Sequence, residues 1–266
     1  VEKISQRRTI MLRAVLGMLL AATLAIMPVT SFADENAIKA LARISPAVGA
    51  LYSQTMTGDL NFNCTVTAVD RTKEGWTVVL TAFHCVKKGV AFLVTFDGNK
   101  FYHARVWKIP HDEVDKVKFP RSYREPQTDM ALFLIEETTE IPLIPIGDDA
   151  GVVPGNDIAV VGFPMGVTKV RYVGTTAGRI FKPGSDTSGY IILQVFGAPG
   201  NSGSAVVDMT SGKIVAVLVA GVQGGAGTAV ILATPISYQK YLLDVDLEGK
   251  GNGVGKENRT PVPDMN

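Results

Sequence analysis

From Cys64 onward the chain alternates short apolar runs with turn-forming residues at nearly even intervals. Runs at Cys64–Val69, Trp76–Thr81, Val90–Phe96, Phe101–Trp107, Met130–Ile135, Asp157–Phe163, Val170–Thr175, Tyr190–Val195, Ser204–Val207, Ile214–Ala220 and Thr228–Ala233 read as β-strands. Asp97-Gly98-Asn99, Pro154-Gly155-Asn156 and Thr210-Ser211-Gly212 are typical of the turns between them. Eleven or so such strands predict an all-β sandwich or barrel architecture. Helical spacing is confined to two stretches. Ala37 to Ile44 predicts a short helix ended before Pro46, and Ile236 to Val245 places Ile236, Tyr241, Leu242 and Val245 on one packed face. Thr138 to Gly151, with Pro142 and Pro145, reads as the link between an N-terminal half (residues 34–140) and a C-terminal half (residues 141–247). Residues 248–266, rich in Gly, Lys, Asn and Pro, predict a disordered tail.

Residues 1–33 have the pattern of an export signal. A mostly basic start (Lys3, Arg7, Arg8, Arg13, with Glu2) precedes an unbroken apolar run from Ala14 to Met27. Pro28 ends that run, and Ser31-Phe32-Ala33 is a small-x-small cleavage pattern directly before Asp34 and Glu35. The competing reading is a membrane anchor, since Ala14 to Ala33 carries no charge and about 20 such residues can span a bilayer. Pro28 and the small-x-small pattern favour cleavage after Ala33, a secreted or periplasmic product, and no membrane association after signal removal.

The chain has 266 residues, 46% hydrophobic and 19% charged, enough for a well-buried core, and its formal net charge is +1. Removing residues 1–33 takes away four basic residues and one acidic, turning +1 into −2. No strong basic field remains to favour nucleic acid. Cys64 and Cys85 show no metal-ligand spacing; they can form one disulfide or remain two thiols, and export favours pairing.

Three local sequences carry chemistry. Leu80-Thr81-Ala82-Phe83-His84-Cys85 puts a histidine just past an apolar strand. Gln127-Thr128-Asp129-Met130-Ala131-Leu132 puts a carboxylate just before one. Gly197-Ala198-Pro199-Gly200-Asn201-Ser202-Gly203-Ser204-Ala205 puts a serine in a glycine-rich turn. A serine hydroxyl is a weak nucleophile at neutral pH and needs an imidazole to take its proton. A carboxylate on the other ring nitrogen fixes the tautomer and stabilises the imidazolium. Each piece alone has a bland reading as a turn, a strand-end carboxylate or a structural histidine. Their conjunction in one chain points to nucleophilic catalysis.

On these residues the sequence resembles the chymotrypsin-like (trypsin-like) serine proteases of the bacterial, secreted type. Thr81-Ala82-Phe83-His84-Cys85 matches T-A-x-H-C, Asp129-Met130-Ala131-Leu132 matches D-x-A-L, and Gly200-Asn201-Ser202-Gly203-Ser204 matches G-[DN]-S-G-[GS]. Asp157 to Gly166 resembles the strand and turn that open the second barrel in bacterial members. The resemblance implies two six-stranded antiparallel β-barrels with a short C-terminal helix and the site between them. It implies His84 as general base and then acid, Asp129 as its orienter and Ser202 as nucleophile. It further implies the amides of Gly200 and Ser202 as an oxyanion hole and a Cys64–Cys85 disulfide. Neither a metal nor an organic cofactor is implied, and the partner is a protein or peptide substrate.

The chain departs from the family pattern in two respects. Asn201 stands where animal members have the aspartate that receives a newly released N-terminal amine, so activation by that ion pair is not expected. With fewer than 25 residues after the expected last helix, the peptide-binding PDZ domain of bacterial heat-shock members is not expected in residues 1–266. By offset from Ser202, the primary specificity pocket is expected to have Phe196 at its base and Gly221 and Gly227 in its walls, which makes it apolar. His103, His111, Asp112, Glu113 and Asp115 meet no ligand spacing and read as a solvated loop. Gly224-Gly225-Ala226-Gly227 lacks the lysine of a phosphate loop. The expected function is a secreted serine endopeptidase working through an acyl-enzyme. The alternatives are a non-catalytic binding protein on the same scaffold, or a protease limited to processing itself or one partner.

Overall fold

The computed structural model describes residues 35–86, 91–109, 129–136, 140–181, 188–223 and 229–239. The expected signal segment, the tail, Gly227 and the loop with His111, Asp112, Glu113 and Asp115 lie outside the described residues.

Helix α1 (Glu35–Ile44) leads into a short 3₁₀ turn at Ser45–Ala47. Twelve strands follow among the described residues. The first six are β1 (Val48–Gln54), β2 (Leu60–Arg71), β3 (Thr77–Thr81), β4 (Ala91–Thr95), β5 (Phe101–Lys108) and β6 (Ala131–Ile135). The second six are β7 (Asp157–Gly162), β8 (Val170–Phe181), β9 (Ser188–Gln194), β10 (Ala205–Asp208), β11 (Lys213–Gln223) and β12 (Ala229–Pro235). They close into two barrels, β1-β2-β3-β6-β5-β4 and β10-β11-β12-β9-β8-β7. Neighbouring strands in both barrels run antiparallel.

The sequence explains which strands lie deepest. Thr77–Thr81 and Ala131–Ile135 are short unbroken apolar or β-branched runs, and every residue of both is buried. They pair with each other, Thr81 opposite Ala131. That register fixes the site, because the chain leaves β3 and enters β6 at the same end of the barrel. Strand β1, Val48–Gln54, is absent from the expected set: its burial does not alternate, and its polar Ser53 is buried, donating to Asn63 Oδ1 at 3.2 Å. Strands β2 and β8 each run 12 residues, longer than their apolar runs, with register shifts in their ladders.

One hydrophobic core fills the first barrel and continues through Ala159, Val161, Val207, Val217 and Leu232 of the second. A second cluster around Ile158, Val160, Ile191, Leu218 and Ile231 fills the rest. The segment between the barrels is tied down on both sides: Ile144 donates to the Ala68 carbonyl at 3.0 Å, and Gly147 to the Ile214 carbonyl at 2.8 Å. Lys169, ahead of β8, reaches across to the first barrel, its Nζ donating to the carbonyls of Phe96 (2.8 Å) and Ser45 (3.0 Å). Burial and the nearby Arg171 hold its ammonium below the usual lysine range, and Asp97 opposes this weakly. Asp149, buried, pairs with Arg179 at 3.0 Å and accepts the Ser237 amide at 2.7 Å. That contact anchors a 3₁₀ turn at Ile236–Gln239, where the C-terminal helix is expected; the rest of that stretch lies outside the described residues.

Candidate active site

His84 lies in a 3₁₀ turn (Phe83–Cys85) three residues past β3, and Asp129 lies two residues before β6. Because β3 and β6 pair end to end, the two meet. Asp129 Oδ1 accepts the His84 amide at 2.9 Å, and Asp129 Oδ2 lies 2.9 Å from His84 Nδ1. An ionised carboxylate only accepts, so Nδ1 carries the proton and Nε2 keeps its lone pair. Two contacts from one carboxylate to the backbone and ring of one residue fix both the turn and the ring plane. The Asp129 side chain is 12% exposed and that of His84 31%, so the carboxylate is sheltered while the imidazole reaches solvent.

A disulfide joins Cys64 of β2 to Cys85, with the Cα atoms 6.1 Å apart. Both sulfurs lie within 4.8 Å of a ring nitrogen of His84 and of each other. With the sulfurs bonded to one another, this trio braces the imidazole and offers no thiolate ligands to a metal.

The serine loop leaves the second barrel and is clamped onto the first. Thr65, next to Cys64, donates its amide to the Ser202 carbonyl (2.9 Å) and its hydroxyl to the Gly200 carbonyl (2.9 Å). The same hydroxyl accepts the Phe163 amide at 3.0 Å. Met165 donates to the Pro199 carbonyl at 2.6 Å, and Gly203 to the Leu218 carbonyl at 2.8 Å. Gly203 has φ +87°, and a Cβ there would collide with the Thr65 carbonyl oxygen and Thr81 Oγ1. Only glycine permits this approach. Through Thr65, Thr81 and Ala82, the Ser202 loop therefore abuts the chain that carries His84.

Ser202 donates its hydroxyl to the Val219 carbonyl at 3.4 Å. Among the described residues, the amides of Gly200 and Ser202 donate to no acceptor. Gly200 has φ +96°, a conformation that turns its peptide unit as glycine alone does readily. Two unengaged amides beside one hydroxyl form a place for a negatively charged oxygen. Asn201 between them is fully buried, and neither its Oδ1 nor its Nδ2 has a partner among the described residues.

Of the residues expected at the specificity pocket, Phe196 and Gly221 are among the described residues and Gly227 is not. Phe196 is 62% exposed and stacks on Tyr172 of β8, ring centroids 5.6 Å apart. Gly221 lies in β11 directly opposite Ile231 of β12.

Residues 64–217 match the family described as Trypsin-like peptidase domain. Similar solved structures include the HtrA-type protease AlgW with tripeptide, 20% identical, TM-score 0.59, covering 79% of this chain and 63% of that one. The same protease with decapeptide is 18% identical, TM-score 0.59, covering 77% of this chain and 66% of that one. This chain thus spans just under two thirds of the length of these neighbours, and at such identity the likeness is one of fold. No curated protein matches it.

Proposed function

This chain belongs to the trypsin-like peptidase domain family, and from that premise we propose that it is an exported serine endopeptidase using His84, Asp129 and Ser202. The observation that carries the reading is the double contact of Asp129 with His84, which puts the ring proton on Nδ1 and makes Nε2 the basic nitrogen of the imidazole.

In this mechanism a peptide carbonyl sits with its oxygen toward the amides of Gly200 and Ser202. The Ser202 hydroxyl leaves the Val219 carbonyl, gives its proton to His84 Nε2 and attacks the carbonyl carbon. The tetrahedral oxyanion is held by the two amides, each such donor contributing about 3 kcal/mol to the barrier reduction. Asp129 stabilises the imidazolium, which then protonates the departing amine. Water, activated by His84, hydrolyses the acyl-enzyme. A peptide substrate is supported by the neighbours having been solved with a tripeptide and a decapeptide. Export is supported by the signal pattern of residues 1–33 and by the Cys64–Cys85 disulfide, which suits an oxidising compartment.

The test is labelling of the oxidised protein with a fluorophosphonate, read by mass spectrometry beside Ser202→Ala and His84→Ala. The expected result is one adduct on Ser202, lost in both variants, with peptide cleavage falling by about 10⁴ or more in each. No adduct on folded protein would overturn the reading in favour of a binding scaffold. N-terminal sequencing of the exported protein is expected to begin at Asp34.

A further inference from the structure

Gly200 carries one of the two amides available to an oxyanion, and both peptide units that meet at it are held by the rest of the fold. The Met165 amide donates to the Pro199 carbonyl at 2.6 Å, and the Thr65 hydroxyl donates to the Gly200 carbonyl at 2.9 Å. In a trans peptide the carbonyl and the N–H point in opposite directions. Holding the Pro199 oxygen therefore turns the Gly200 N–H away from Met165, to a side where it meets no acceptor among the described residues.

Phe62 of β2 keeps Met165 within reach of that carbonyl. Its half-buried ring touches the turn at Pro164–Gly166 and the serine loop at once. A Cβ on Gly166 would lie 2.6 Å from Phe62 Cγ. One on Gly200 would lie 2.7 Å from Phe62 Cε1, 2.5 Å from the Phe163 carbonyl oxygen and 3.0 Å from the Met165 nitrogen. Both glycines, at φ +71° and +96°, thus set bare backbone against one ring. Tyr52 of β1 backs that ring edge-on, with centroids 5.7 Å apart and planes at 73°, which leaves it little room to turn. The supported turn holds Met165 at φ +53°, a left-handed state that costs energy for a residue with a side chain. Met165 is 71% exposed, so side-chain packing does not maintain this state; the backbone contacts do. What the state delivers is the amide that binds the Pro199 carbonyl.

We propose that Phe62 is a positioning residue for the reaction: its ring, wedged against Gly166 and Gly200, keeps the Met165 amide on the Pro199 carbonyl and the Gly200 N–H aimed at the developing oxyanion. The proposal rests on the endopeptidase reading above. Without the ring, the Pro199–Gly200 peptide is free to rotate and withdraw its donor as the charge forms. The pair of His84 and Asp129 is set by the paired ends of β3 and β6 and does not rely on this ring. The effect is therefore one on transition-state stabilisation. Removing an oxyanion donor outright costs about 10²–10³ in kcat, so a donor left loosely held is expected to cost about 10- to 100-fold.

The experiment compares the full chain with Phe62→Ala and Phe62→Leu. Exhaustive fluorophosphonate labelling counts the competent Ser202 in each, so that kcat on a fluorogenic peptide is expressed per labelled site and unfolded molecules drop out. Phe62→Ala is expected to lose about 10- to 100-fold in kcat and in labelling rate, with KM within about twofold of the parent. Phe62→Leu, which keeps part of the bulk, is expected to lose about threefold. A peptide aldehyde, whose hemiacetal oxygen takes the place of the oxyanion, is expected to bind Phe62→Ala more weakly by the factor that kcat falls. The pH profile of kcat/KM, set by His84, is expected to match the parent's. Parental kcat and aldehyde affinity in Phe62→Ala would overturn this proposal alone, as would a loss carried by KM or by a shifted pH profile. Should Phe62→Ala not fold, Phe62→Leu decides by the same readings. Absence of label on the parent's Ser202 would overturn the endopeptidase reading, and this proposal with it.

Discussion

Thr65 holds Ser202 by its backbone, amide to carbonyl at 2.9 Å, although one belongs to the first barrel and the other to the second. The Thr65 hydroxyl also joins the Gly200 carbonyl to the Phe163 amide. Thr65→Val keeps the shape and removes both hydrogen bonds, leaving a carbonyl and an amide unpaired in a partly buried place. The expected cost is about 2 to 4 kcal/mol by urea unfolding, with slower fluorophosphonate labelling of Ser202. Thr65→Ser, which restores the hydroxyl, is expected to stay close to the parent in both measurements.

The disulfide closes a loop with a sequence separation of 21. Loop-closure entropy for that length corresponds to about 3 kcal/mol. Cys64→Ser with Cys85→Ser is expected to lower stability by that amount. It also frees the turn that carries His84, so peptidase activity is expected to fall further than the population of unfolded protein explains.

Asn201 is buried beside Ser204, whose hydroxyl also lacks a partner among the described residues. Asn201→Asp would place a carboxyl where its ionised form has no solvent, raising its pKa above the unfolded value. A raised carboxyl pKa leaves stability intact below the unfolded pKa and costs increasingly as pH rises toward the folded one. The variant is expected to lose about 3 kcal/mol at pH 7 and to approach the parent near pH 4 in urea unfolding.

Asp97 accepts the amides of Asn99 (2.8 Å) and Lys100 (3.0 Å), and these hydrogen bonds, the Lys100 one foremost, hold its carboxyl below the ordinary value of 3.8. A lowered carboxyl pKa contributes stability above 3.8 that fades as pH falls through the folded value. The urea midpoints of the parent and Asp97→Asn are expected to differ at pH 7 and to converge in strong acid.

The barrels were legible because most strands announce themselves by β-branched and aromatic runs between turn residues, as Trp76–Thr81 and Met130–Ile135 do. Strand β1 was not, since Val48–Gln54 is buried without alternating and hides polar Ser53 in a side-chain hydrogen bond. The helix at residues 35–44 was visible, with its start two residues earlier than the apolar spacing suggested. For the candidate site, local motifs single out His84 and Ser202 because the residues around each are consecutive in the chain. Contacts made through strand register are not written in such motifs. Ile231 reaches Gly197 and Gly221 through the pairing of β11 with β12, and that ladder shifts register between Leu218 and Ala220. Such a shift leaves no mark in the chain's apolar pattern.

The clamp of Thr65 and Thr81 on the Ser202 loop makes the loop report on the assembly of the whole fold. Its shape depends on hydrogen bonds and a glycine contact supplied by strands more than a hundred residues earlier in the chain. A chain that has folded only its later half has the serine but not the geometry around it. Under the proposed mechanism, reactivity at Ser202 is thus expected only where the first barrel is in place against the serine loop.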